Sequence, residues 1–79
     1  MPTVHRERGF NFFFFSEERK EPPHIHVESG DGYAKMWLGP PVGVVFSYGF
    51  SPRERRAAVE IVIRERAMME KAWHDHLGR

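Results

Sequence analysis

The sequence predicts an α+β fold, a small antiparallel sheet of four to five strands packed on one long C-terminal helix. Three observations predict it. Residues 3 to 48 fall into short runs rich in aromatic and β-branched side chains, cut by Gly9, Gly30-Asp31-Gly32, Gly39-Pro40-Pro41 and Gly49, the residue types that end strands. His24-Ile25-His26-Val27-Glu28 alternates polar and apolar, the period of a strand whose two faces meet different surroundings. After Ser51-Pro52 no glycine or proline occurs until Gly78, and apolar residues recur at helical spacing. The 79 residues make one domain, with residues 1–50 mostly strands and 51–77 the helix.

Thr3-Val4-His5-Arg6 is predicted as a short edge strand ended by Gly9. Phe10 to Phe15 is predicted as a strand, and because Phe12 to Phe15 are apolar at successive positions it should be covered on both faces. Ser16 to Glu21 reads as a charged, exposed loop. Pro22-Pro23 fixes an extended approach to the next strand, His24 to Ser29, since each ring locks φ and disfavours helix for the residue before it. A hairpin turn at Gly30-Asp31-Gly32 returns the chain as Tyr33 to Leu38. A loop at Gly30-Asp31 sets His26 opposite Lys35 and His24 opposite Trp37; a loop at Asp31-Gly32 sets His26 opposite Trp37. Either register puts His24, His26, Glu28, Tyr33, Lys35 and Trp37 on one open face, and Ile25, Val27, Ala34, Met36 and Leu38 on the other. Val44 to Tyr48 is the last strand.

The helix opens on Ser51, with Pro52 at the first position and Glu54 completing a Ser-x-x-Glu capping box. Ala58, Val59, Val62, Met69, Trp73 and Leu77 form one stripe, with Ile61, Ile63 and Met68 on its flanks. A continuous helix from Pro52 to Leu77 would be about 39 Å long, more than a five- or six-residue strand can cover. The spare apolar surface points to a second subunit or a partner.

Composition narrows the function classes. The net charge is +1, without the basic excess of a chain that binds nucleic acid by bulk electrostatics. Residues 51–79 carry seven Lys/Arg against five Asp/Glu, a local basic region only. No cysteine is present, so neither a disulfide nor a thiolate metal site is available, which suits a reducing cytoplasm. No stretch is apolar over a membrane-spanning length and no secretory leader is recognisable. A domain this small buries roughly 60% of its unfolded surface, so oligomerisation or a partner is expected to add stability.

Three constellations could carry chemistry. His24 and His26, with Lys35 to hold phosphate, could serve as acid and base of a small RNA-acting enzyme, since imidazole titrates near neutrality. Two same-face histidines could also begin a metal site, completed by Glu28 or by His74 or His76; the plain alternatives are a tolerant sheet face and histidines favoured at a helix C-terminus. No cofactor is implied. Tyr33, Lys35, Trp37 and Glu28 make a surface of aromatics beside charges, suited to stacking bases or to anchoring a protein interface; the near-neutral charge favours the protein interface. Arg53, Arg55 and Arg56 crowd the first helical turn against the helix dipole, either to capture an anion or as solvated side chains screened by Glu54 and Glu60.

Met1-Pro2-Thr3-Val4, Glu21-Pro22-Pro23-His24-Ile25-His26-Val27, Gly30-Asp31-Gly32, Ala34-Lys35 with Trp37-Leu38, and Gly49-Phe50-Ser51 together resemble a family of small bacterial proteins known as a domain of unknown function, number forty-one sixty. The Pro-Pro-His-x-His-Val element is the most specific part, and the resemblance covers nearly the whole chain. It implies no established activity. It implies a gene neighbour encoding another small protein, in an arrangement like a toxin-antitoxin pair. The phenylalanine run and Pro40-Pro41 are particular to this chain. The reading that results is a small cytoplasmic interaction module that binds a partner protein, or its own copy, through the aromatic and histidine face or the helix.

Overall fold

The computed structural model describes residues 3–15 and 20–77. Five strands, β1 (Thr3–Glu7), β2 (Phe10–Phe13), β3 (His24–Ser29), β4 (Gly32–Trp37) and β5 (Gly43–Tyr48), are followed by α1 (Pro52–Arg64) and α2 (Arg66–Leu77). The strands form one antiparallel sheet in sequence order. Each strand therefore pairs with its chain neighbours, across tight turns at β1–β2 and β3–β4 and a longer connection, residues 14–23, between β2 and β3.

The turns follow from local chemistry. Arg8 and Gly9 both take positive φ between β1 and β2, the backbone twist that suits a two-residue hairpin. Gly30-Asp31 joins β3 to β4, and of the two predicted registers the structure has His24 opposite Trp37 and His26 opposite Lys35. Gly49, at φ +77°, lies so close to Asp31 that any Cβ there would overlap its carbonyl, and the Phe50 ring fills the space a Cβ on Gly32 would need. The end of β5 is thus clasped onto the β3–β4 turn. Between Lys35 and Met36 the pairing of β4 with β5 slips by one residue at Val45, a β-bulge.

One prediction needs correction. The helix is two pieces that meet at Glu65, not a single rod. A straight rod of about 39 Å exceeds the longest dimension of the molecule, 34 Å, and its far half would leave the sheet. The break keeps the hydrogen bonds from Glu65 N–H to the Ile61 carbonyl and from Met69 N–H to the Glu65 carbonyl, so the chain bends while the apolar stripe stays in phase. Arginines on either side of the bend hold it to different places: Arg64 pairs with Glu7 on β1, and Arg66 donates to the carbonyls of Leu38 and Gly39 beyond β4. The predicted capping box is present, with Glu54 N–H on Ser51 Oγ at 3.0 Å and Ser51 N–H on Glu54 Oε1 at 2.7 Å.

The core lies between the sheet and the helices. Phe12, Phe14, Ile25, Val27, Ala34, Met36 and Leu38 meet Ala58, Ile61, Val62, Met69 and Trp73 there. Ile61 joins the buried stripe that the sequence placed on its flank, Val59 is only half-buried, and Ile63 and Met68 are exposed. The second strand ends at Phe13 rather than Phe15, yet Phe12 and Phe13 are both buried, so it is covered on both faces as its sequence requires. The loop predicted over Ser16 to Glu21 lies largely outside the described residues, as do Gly78 and the side chain of Leu77.

Candidate functional site

The face of the sheet turned away from the helices carries a row of rings. Phe13 on β2 stacks on His26 of β3, with centroids 5.5 Å apart and planes inclined by 23°. His26 stacks on Tyr33 of β4 at 5.9 Å and 13°. Tyr33 meets Phe46 and Tyr48 of β5 at 5.6 and 5.8 Å. The register produces this row, because Phe13 pairs with His26, Lys35 with Phe46 and Tyr33 with Tyr48. Facing or diagonal side chains across strands lie within ring-contact range.

The row is buried at one end and open at the other. His26 is 4% exposed, whereas Tyr48 is 62% exposed. The expected open face fails at His24 and His26, which are buried, and holds at Glu28, which is exposed; Tyr33, Lys35 and Trp37 on β4 are half-buried. The described ends of the β2–β3 connection supply the reason: the Phe15 ring stands edge-on to His26 at 4.5 Å, and Glu21 reaches Lys35. A period-two pattern tells which side chains share a face but not what the connecting chain lays over it.

His24 is the second correction. It is 0% exposed, wedged where the two layers close. Its ring meets Trp37 edge-on at 5.7 Å and the Trp73 indole of α2 at 4.7 Å. Its Nδ1–H donates to the Pro22 carbonyl at 2.9 Å, so the ring is oriented by the double-proline segment that precedes it. The two imidazoles do lie side by side, 5.2 Å apart, and Ile25 and Val27 are buried on the opposite face. Their shared surface, however, is an interior seam. His26 Nδ1 shares a 2.8 Å hydrogen bond with the Tyr33 hydroxyl.

The charged groups nearby, Lys35 and Glu28, are paired. Lys35 Nζ lies 2.5 Å from Glu21 Oε1 and 5.1 Å over the Trp37 ring, so its charge is offset by a carboxylate and by the ring face. Glu28 faces Tyr33 in the register, but its carboxylate accepts from Asn11, which accepts in turn from Arg6. That polar chain runs across β1, β2 and β3, beside the aromatic row rather than in it. Arg53, Arg55 and Arg56 are exposed on α1, in the layer on the other side of the sheet, so they do not join Lys35 in one anion-binding surface.

The structure does not bring the four histidines of the metal reading together. His76 stacks on Phe14, His74 lies near Glu70, and the Trp73 ring packs on His24. Among the described residues the group of three spaced closely enough to share an ion is His5, Glu7 and Glu65, and Arg64 already pairs with both carboxylates there. None of the described helices is long and apolar enough to cross a membrane.

Residues 9–74 match the family described as "Domain of unknown function (DUF4160)". The chain belongs to that family. The match runs from the β1–β2 turn into α2, so the aromatic row, the His24 seam and β5 all fall inside the family domain. No curated protein and no solved structure matches the chain.

Two features escaped the sequence reading. The sequence assigns Glu21 to an exposed loop, and the structure also pairs it with Lys35. The exposed apolar side chains of β5, Val44, Val45, Phe46 and Tyr48, were read only as a strand. Their signal was present: no residue from Gly39 to Ser51 is charged.

Proposed function

We propose that this DUF4160 domain is a protein-interaction module of the cytoplasm, one member of a two-protein pair of the toxin-antitoxin kind, and that it binds its partner protein on the sheet face away from the helices. The observation that carries this reading is the open end of the aromatic row, Tyr33, Phe46 and Tyr48 with Trp37 beside them, on a face whose one lysine is already matched by Glu21. Aromatic side chains with little charge are what protein interfaces place at their centres. A nucleic-acid face would need unmatched cations along the row; Arg53, Arg55 and Arg56 lie in the other layer, and Arg6 on β1 bonds to Asn11. An acid-base pair of His24 and His26 would need both rings to reach a substrate, and both are buried.

Co-expression with the product of the adjacent gene tests the proposal. A stoichiometric complex is expected with the native chain, weakened at least about tenfold, the effect of losing one aromatic anchor, by Trp37→Ala or Tyr33→Ala. Absence of a complex, or equal affinity for both variants and the native chain, overturns it. A growth defect that persists in a His24→Ala/His26→Ala chain would also remove the acid-base alternative.

A further inference from the structure

β5 forms one edge of the sheet and, among the described residues, pairs only with β4. An edge strand offers a row of backbone donors and acceptors to any strand that can lie beside it. Four of its six side chains are exposed and apolar or aromatic. We propose that β5 pairs antiparallel with β5 of a second copy of this chain, with Ser47 on the twofold axis, so that two five-stranded sheets become one continuous sheet.

Three observations select a second copy and this axis. First, a twofold contact presents every group near the axis to its own duplicate or to a near neighbour. A charge there would repel itself. The chain is uncharged from Gly39 through Ser51, so β5 is compatible with itself along its whole length, and it offers no charge with which to select a different strand.

Second, Ser47 lies on the helix side of the sheet, opposite Ala34. Its Oγ is buried and has no hydrogen-bond partner among the described residues. A buried hydroxyl is normally satisfied. With the axis at Ser47, the two side chains lie directly across from each other, and a χ1 turn that brings each hydroxyl to the strand edge puts the pair within reach of one hydrogen bond. Moving the axis to Phe46 would set Ser47 against Val45 of the second copy and leave the hydroxyl orphaned.

Third, the same axis sets Phe46 opposite Tyr48 of the second copy, and Tyr48 opposite its Phe46. Both positions lie on the aromatic face, where the two rings already stack within one chain at 6.3 Å and 15°. The row that begins at Phe13 would run unbroken into the neighbouring molecule. The bulge at Val45 disturbs the strand before this segment, which leaves Phe46-Ser47-Tyr48 as the regular part at the axis.

The whole chain can be tested directly. Sedimentation equilibrium should give twice the 9.3 kDa chain mass, falling to the chain mass on dilution. Phe46→Lys/Tyr48→Lys, which places like charges opposite each other across the axis, should stay monomeric with an unchanged circular dichroism spectrum. The chain has no cysteine, so disulfide trapping reports the axis. In Ser47→Cys the opposed Cα atoms would be about 4.5–5.5 Å apart, inside the disulfide range, and mild oxidation should give a covalent dimer. In Val45→Cys the two positions would be about 13 Å apart along the strand, and cross-linking should be at least about tenfold slower. Monomeric native chain at the highest concentration reached, a dimer that survives both lysines, or equal cross-linking at the two cysteine positions would each overturn the proposal. A monomer that accepts a strand from another protein counts against it equally, and the partner assay with Trp37→Ala is read separately.

Discussion

The two edges of this sheet are built for opposite outcomes. β1 carries His5, Arg6 and Glu7; Glu7 pairs with Arg64 at the end of α1 and with His5, and Arg6 bonds to Asn11. Charged side chains and a fastening to the helix layer are how an edge is kept from recruiting another strand. β5 has no charge, and no ion pair ties it to a helix among the described residues. Both edges contain a pairing irregularity, so the bulges do not distinguish them. The difference is charge, and it suggests that one edge is closed and the other available.

The comparison assumes that both edges hang from one core, and the largest predicted effect tests that assumption. Phe12 lies fully buried on β2 and touches both His5 and Phe10. Phe12→Ala should destabilise the domain by about 3–5 kcal/mol, measured by urea unfolding. It should lower the protection of β1 and β5 amides from hydrogen exchange together. Loss of protection at β1 alone would show that the edges unfold separately and that their contrast has a local origin. A smaller effect is expected at the end of β5. Gly49→Ala forces a side chain into positive φ and into the Asp31 carbonyl, which should destabilise by about 1–3 kcal/mol. It should loosen β5 while leaving β1 unchanged.

How much of this was legible in the sequence depends on range. The strands, the Gly30-Asp31 turn, the capping box and the division of β3 and β4 into two faces all follow from periodicity and turn chemistry, which act over a few residues. The bend at Glu65 has no proline or glycine to announce it. It arises because α1 and α2 must stay on a sheet shorter than their combined length, and because Arg64 and Arg66 find partners on β1 and beyond β4. The burial of His24 and His26 was equally invisible, since it depends on Trp73 arriving from α2 and on Phe15 and Glu21 folding over the face. The availability of β5 could have been read from its want of charge, but its place at the edge comes from the order of the whole sheet.

The smallest predicted effect isolates the fastening of β1. The Arg64 guanidinium, and after it His5, hold the Glu7 carboxyl below the usual carboxylate range. The unfolded chain therefore takes up this proton at higher pH than the folded one does. The contribution of Glu7 is complete above its unfolded value, near pH 4.5, and fades as the pH falls through the lower folded value. Glu7→Gln removes it. Urea midpoints at neutral pH should place the native chain slightly above Glu7→Gln, and the gap should close in acid. Added salt should narrow it at neutral pH, because the pair is at the surface. Val45→Thr on β5 changes no charge and breaks no ion pair, so its offset should be the same at every pH. A gap for Glu7→Gln that is equally flat would mean that the Arg64 pair does not fasten β1, and the contrast between the edges would rest on backbone shape instead of charge.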